Sequence, residues 1–145
     1  MCIEEYWKNF LTKNNLSSET KYQEAFKFGF NDKQADELLK LVIRGKKTAT
    51  TSPYFEDEEY VKVGDYSIVL DSKNQPCCII KTTKLTYMSF KNMTYDICKL
   101  EGEDKILDTW IYNHTIFLSK ACEEKGLCFS IDMPIIFEEF EVVYK

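Results

Sequence analysis

A chain of 145 residues with 44% hydrophobic and 30% charged side chains has enough apolar material for one packed domain, which excludes a disordered tail. A net charge of -5 and a single arginine, Arg44, exclude a broad surface that grips phosphates with bidentate guanidinium forks. Six cysteines without a C-x-x-C pair, together with one histidine, exclude a structural zinc site of familiar spacing.

The first residues, Met1-Cys2-Ile3-Glu4-Glu5, contain no apolar run, and no stretch reaches the length that spans a bilayer. A cytoplasmic protein is expected, with reduced cysteines that mostly fill the core. No cofactor, metal, membrane or DNA partner is expected. No linker, repeat or low-complexity tract divides the chain, so residues 1–145 read as one domain with an N-terminal helical extension.

In chain order, residues 4–13 place Tyr6, Trp7, Phe10 and Leu11 at helical spacing. Ser17 or Ser18 is expected to cap a short second helical piece ahead of Phe26-Lys27-Phe28-Gly29. The clearest helix is predicted over Lys33 to Arg44. Asp32 is its N-cap, Ala35, Leu38, Leu39, Val42 and Ile43 form its buried stripe, and Gly45 is its left-handed end. Thr48 to Ser52 then reads as strand or extended loop, Val63-Gly64-Asp65 as a turn, and Tyr66 to Leu70 as a strand. Ser72-Lys73-Asn74 supplies a second turn before a long β run, Pro76 to Met88, which suggests a hairpin. A second strong helix is predicted over Asp104 to Lys125, with Leu107, Trp110, Ile111, His114, Leu118, Ala121 and Cys122 on one face and Gly126 at its end. Ile135 to Tyr144 closes the chain as a strand. This order is α+β, not a βαβ repeat.

The segment most informative about chemistry is Arg44-Gly45-Lys46-Lys47-Thr48-Ala49-Thr50-Thr51, in which three cations at a helix end run into three hydroxyls. Alternation along an extended chain gives Thr48 and Thr50 a common face, with Lys46 beside them and Lys47 at the junction. A lysine beside a hydroxyl is one route to an activated nucleophile. The bland alternative is a solvated cationic helix terminus favoured by the helix dipole. The acidic run Glu101-Gly102-Glu103-Asp104 precedes the second helix, where carboxylates suit the free amides of a first turn, or could meet the lysine–threonine segment. His114 lies on the apolar face of its helix and reads as a buried, hydrogen-bonded residue. Ser130 and Asp132 can line a pocket or make a polar turn. Tyr54 and Phe55, after Pro53, can stack on a base or tuck into the core.

Taken in order, Phe28-Gly29, Ala35-Asp36-Glu37-Leu38-Leu39, Gly45-Lys46-Lys47-Thr48-Ala49-Thr50, Val63-Gly64-Asp65-Tyr66, Cys78-Ile79-Ile80, Glu101-Gly102-Glu103 with Trp110, Phe129-Ser130, Asp132-Met133-Pro134 and Phe140-Glu141-Val142-Val143-Tyr144 resemble an ASCH-domain protein of the longer bacterial type. The resemblance runs from about Trp7 to Tyr144. It implies a PUA-like fold, a small mixed β-barrel with flanking helices, and a cleft lined by the G-x-K-x-x-T segment. It also implies RNA-related roles, and in one branch an amidohydrolase that removes the acetyl group of N4-acetylcytidine. Residue by residue, the catalytic lysine, threonine and glutamate of that branch map to Lys47, Thr50 and Glu101. In that scheme Lys47 takes a proton from Thr50, Thr50 attacks the acetyl carbonyl and Glu101 protonates the departing amine. Arg44, Lys46, Thr48, Thr51, Tyr54 and Ser130 are the expected substrate-binding residues. The competing readings are a module that binds RNA or a modified nucleotide without chemistry, and a ribonuclease. The acidic balance favours a small nucleoside over long RNA.

Overall fold

The computed structural model describes residues 1–145. Its elements, in order, are α1 (Ile3–Lys13), β1 (Glu24–Phe26), α2 (Asp32–Ile43), β2 (Ala49–Pro53), β3 (Tyr66–Leu70), β4 (Pro76–Ser89), a 3-10 turn (Phe90–Asn92), α3 (Tyr95–Cys98), a second 3-10 turn (Lys99–Glu101), α4 (Leu107–Glu124) and β5 (Pro134–Tyr144). This is the α+β class expected from the sequence. The strands form one five-stranded sheet in the order β1-β3-β4-β5-β2. No helix is long and apolar enough to cross a membrane.

The chain divides into two compact units. The first comprises Met1–Gly45, Val61–Thr83 and Phe140–Lys145. Here α1 buries Trp7, Phe10 and Leu11 against Ile68, Leu70 and Ile79, as the i, i+3, i+4 spacing requires. Helix α2 buries Ala35, Leu39 and Val42, and its Leu39 and Val42 pack with Phe28, Val69, Cys78, Ile80 and Phe140. Each fully buried Leu, Val or Phe contributes about 1.5–3 kcal/mol relative to exposure. The cap of α2 is Asn31 and not Asp32: the Asn31 side chain accepts from the Gln34 amide at 2.9 Å, and Asp32 is already helical. Gly45 does end the helix left-handed, at φ 76°. Strands β3 and β4 pair antiparallel with Ser67 opposite Ile80, across a turn in which Asn74 is left-handed at φ 63°.

The helical piece expected after Ser17 is absent. Ser17 instead makes a local turn, its carbonyl accepting from the Thr20 amide and its hydroxyl from the Glu19 amide. The Trp7 indole then donates to the Thr20 carbonyl, which pulls this turn onto α1. Strand β1 comes next in the chain and pairs parallel with β3 through Ala25 and Ile68.

The second unit comprises Lys46–Tyr60 and Lys84–Glu139. Strand β2 pairs antiparallel with the first half of β5, Thr51 opposite Phe137 and Thr50 opposite Glu138. Its core gathers Ala49, Phe90, Met93, Cys98, Trp110, Leu118, Ile135 and Phe137. Helix α4 starts at Leu107, three residues later than the sequence suggests, because the acidic run before it is folded into a turn of its own. Its predicted stripe is narrower too: Trp110, Leu118 and Cys122 are buried, whereas Ile111 is 39% exposed. Of the six cysteines, Cys78, Cys98 and Cys122 are buried, Cys77 is half-buried, and Cys2 and Cys128 are exposed.

Candidate functional site

The second unit holds a cluster of buried charges that begins where the chain leaves α2. The Thr48 amide and hydroxyl both donate to the Leu100 carbonyl, at 2.8 and 3.1 Å, and so fasten the approach to β2 to the 3-10 turn ending at Glu101. Gly102 is the next residue and takes the left-handed conformation, φ 74°. A side chain there would run into the Lys46 carbonyl, with the Lys46 carbonyl carbon 2.8 Å and the Lys47 nitrogen 3.1 Å from the added carbon. Only glycine lets the two backbones approach this closely. The turn also aims Glu101 and Glu103, two residues apart, at one ammonium.

That ammonium belongs to Lys47, which is 2% exposed. Its Nζ lies 3.4 Å from Glu101 Oε1 and 2.6 Å from Glu103 Oε2. The two carboxylates are unlike. Glu101 is 1% exposed, whereas the Glu103 side chain retains 28% exposure. Glu101 accepts at Oε2 from the Trp110 indole nitrogen at 2.5 Å and the Thr51 hydroxyl at 3.0 Å. Its Oε1 also faces His114 Nε2 at 3.5 Å. The other ring nitrogen of His114 is 2.9 Å from the Trp110 carbonyl. The Trp110 indole is stacked between Phe90, at 5.4 Å, and the His114 ring, at 4.2 Å.

These surroundings set the protonation states. Burial pushes the Glu101 carboxyl up, but the His114 hydrogen bond, the charges of Lys47 and His114 and the Trp110 N–H outweigh it and bring it down to about 2. Glu101 is therefore a fixed anion at neutral pH. Burial pushes His114 down, but the bond to Glu101 and the negative charge there, with the Trp110 carbonyl and Glu103, leave it raised. The Lys47 ammonium and the His114 ring face the two carboxylates of the cluster. No three His, Cys, Asp or Glu side chains gather to hold a metal ion; between the two carboxylates the cationic position is filled by Lys47.

Of the residues singled out in the sequence, the structure brings together Lys47, Glu101 and Thr51. Thr50 is half-buried on the opposite face of β2, across from Glu138, because alternation places it away from Ala49 and Thr51. Thr48 is spent on the Leu100 carbonyl. Lys46 is exposed, and Arg44 lies in the first unit, exposed at the end of α2. Tyr54 is half-buried, stacked on Tyr60 at 5.5 Å and edge-on to Tyr87 at 5.8 Å. Ser130 is exposed in a turn, its hydroxyl accepting from the Asp132 amide. Glu101 does not cap α4, whose N-cap is Ile106. The acidic run meets the lysine–threonine segment, the second of its two expected roles, though Glu103 was not singled out within it, and His114 is hydrogen-bonded as expected; what sequence reasoning missed is that the His114 and Trp110 rings both turn to Glu101. Their i, i+4 spacing, which stacks one ring on the other, was the available signal.

The family described as the ASCH domain matches residues 24–144. This chain belongs to the ASCH-domain family. An ASCH domain from Lactobacillus crispatus JV V101 is 27% identical, with a TM-score of 0.89 over 98% of this chain and 94% of that one. Protein EF3133 from Enterococcus faecalis V583, of family DUF984, is 33% identical, with a TM-score of 0.89 over 98% of this chain and 88% of that one. Both likenesses run through α1, which precedes the residues matched by the family. The hypothetical protein PH0355, 19% identical with a TM-score of 0.54 over 83% of this chain and 96% of that one, shares the fold alone. No curated protein matches the sequence. The ASCH-domain fold is the α+β, PUA-like fold that the sequence implied.

Proposed function

We propose that this ASCH-domain protein is an amidohydrolase of a small acylated nucleoside, with N4-acetylcytidine as the type substrate, and that Lys47 is its centre. The observation that carries this reading is a fully buried ammonium held between one inaccessible carboxylate and one that reaches solvent. Taking ions out of water costs several kcal/mol each. Clusters of perturbed, buried titratable groups are characteristic of working sites.

The geometry alters the roles implied by the sequence. A carboxyl brought down to about 2 has no proton to give at neutral pH, so Glu101 orients Lys47 and is not the acid. In the proposed reaction the nucleophile is water, since Thr50 lies on the face of β2 opposite Thr51. The water oxygen attacks the acetyl carbonyl and its proton passes to the Glu103 carboxylate, which Lys47 holds; the C–N bond breaks, the Glu103 carboxyl returns the proton to the departing amine, and acetate leaves. The test is chromatography of N4-acetylcytidine incubated with the purified protein, beside Lys47→Ala, Glu103→Gln and Thr50→Ala. Release of cytidine by the parent and by Thr50→Ala, but by neither of the other two variants, supports the assignment. Release that survives Lys47→Ala overturns it.

A second reading, a module that binds RNA or a modified nucleotide without chemistry, is favoured by one observation. Glu101 already has donors at both oxygens, so the network is satisfied at rest. A folded parent that leaves N4-acetylcytidine intact but binds cytidine, with affinity lost in Lys47→Ala, establishes that reading.

A further inference from the structure

We propose that His114, the only histidine of the chain, is a positioning residue: held as an imidazolium, it donates from both ring nitrogens and fixes Glu101, which in turn holds Lys47 against Glu103. The charge state of the ring stands on the geometry alone; what the ring positions for rests on the amidohydrolase reading.

The two partners of the ring fix its protons. The Trp110 carbonyl oxygen, 2.9 Å from Nδ1, can only accept, so Nδ1 carries hydrogen. Nε2 faces Glu101 Oε1 at 3.5 Å, and the oxygens of that carboxylate already accept from the Trp110 indole, the Thr51 hydroxyl and the Lys47 ammonium, so it presents acceptors only. A neutral ring with its hydrogen on Nδ1 would aim a lone pair at an anionic oxygen in a site with little water to separate them. A second proton turns that contact into an attraction. The indole beneath the ring adds to this, since a cation over a tryptophan face is favoured by the ring quadrupole.

The groups facing the ring come from three directions. Glu101 and Glu103 come from the acidic turn and its continuation, and Lys47 from the approach to β2. Trp110 and Phe117 come from α4 itself, stacked at 4.2 Å and edge-on at 6.3 Å. Lys47 is the one like charge, and two carboxylates bind it. As pH rises and the ring loses its second proton, Glu101 loses a donor at the oxygen it shares with Lys47. The site is therefore best formed on the acid side of the imidazole titration and slackens above it.

A single histidine makes the test direct. The imidazole nitrogens of the uniformly 15N-labelled protein are followed by NMR from roughly pH 5 to 9, the range in which histidine titrates. The expected result is hydrogen on both nitrogens at neutral pH, and one titration with its midpoint above the ordinary value of about 6.5. In Glu101→Gln the midpoint falls by about one to three pH units. A ring that is neutral at neutral pH in the folded parent overturns the proposal, whatever the variant does.

The positioning role is read separately. If the parent hydrolyses N4-acetylcytidine, turnover against pH falls on the alkaline side with the imidazole midpoint, and His114→Gln abolishes that coincidence. A profile unmoved by His114→Gln refutes the role. If the parent does not hydrolyse it, the enzymatic reading fails by itself, and the Lys47 ammonium resonance becomes the readout. It shifts in step with the imidazole if His114 positions Glu101, and stays still if it does not.

Discussion

Replacing Gly102 with alanine tests how closely the acidic turn is laid against the backbone of Lys46 and Lys47. The left-handed φ of 74° costs an alanine about 1–2 kcal/mol by itself. The added carbon would also press on the Lys46 carbonyl group and lie 3.1 Å from the Lys47 nitrogen. These are backbone atoms and cannot rotate aside, so the turn must move. Overpacking of this kind adds about 1–3 kcal/mol. The total is about 2–5 kcal/mol, and a domain of this size loses roughly 2–4 °C of Tm per kcal/mol. Gly45 is the internal control: its φ is 76°, yet nothing lies within 4 Å of a carbon added there. Gly45→Ala is expected to cost only the conformational part, about 1–2 kcal/mol. Urea denaturation with a common m value, checked by thermal melts, reads the difference. If the two substitutions cost the same within about 0.5 kcal/mol, the argued contact between the two backbones is wrong.

Three further outcomes are expected. Glu101 is held at about 2 in the folded chain against an ordinary 4.5, so its stabilising contribution is complete above about pH 4.5 and is lost as pH falls toward 2; the difference amounts to about 3 kcal/mol, and Glu101→Gln should flatten that part of a stability-versus-pH curve. Trp110→Phe removes the indole donor to Glu101 and keeps an aromatic ring beside Phe90; it should cost about 1–3 kcal/mol in urea denaturation, and a loss of under about 0.3 kcal/mol would contradict the bond. Asn31→Ala should cost about 1 kcal/mol through the lost cap of α2, while Asp32→Ala, next to it, should cost much less in the same measurement.

The parts of the fold that depend on local periodicity were readable in the residues. Trp7, Phe10 and Leu11 announce α1, Ala35, Leu39 and Val42 announce α2, and the turns at Gly64 and Asn74 bracket a strand that begins and ends where expected. Features decided by distant partners were not. A three-residue strand such as β1 has too little pattern to stand out, and exists because β3 offers it an edge. Asn31 and Asp32 are both competent caps; their backbone angles decide between them. The site shows the same division. Lys47 was singled out from its motif and Glu101 from the family resemblance, and the two do meet, but the hydroxyl that bonds Glu101 is that of Thr51, and Glu103 supplies the shorter contact to Lys47. These choices depend on where a left-handed glycine lays one backbone against another 56 residues away in sequence, which no local pattern encodes.

The paired reach of Glu101 and Glu103 around Lys47 amounts to a cation cage whose guest is covalently tethered. Shortening the tether, as in Lys47→Ala, empties the cage without dismantling the indole and hydroxyl that hold one of its walls. Such a protein should accept a free guest in place of the lost side chain: ammonium or a small primary alkylamine should restore stability in proportion to its concentration, and tetramethylammonium, equally charged but too bulky and without hydrogens to donate, should not.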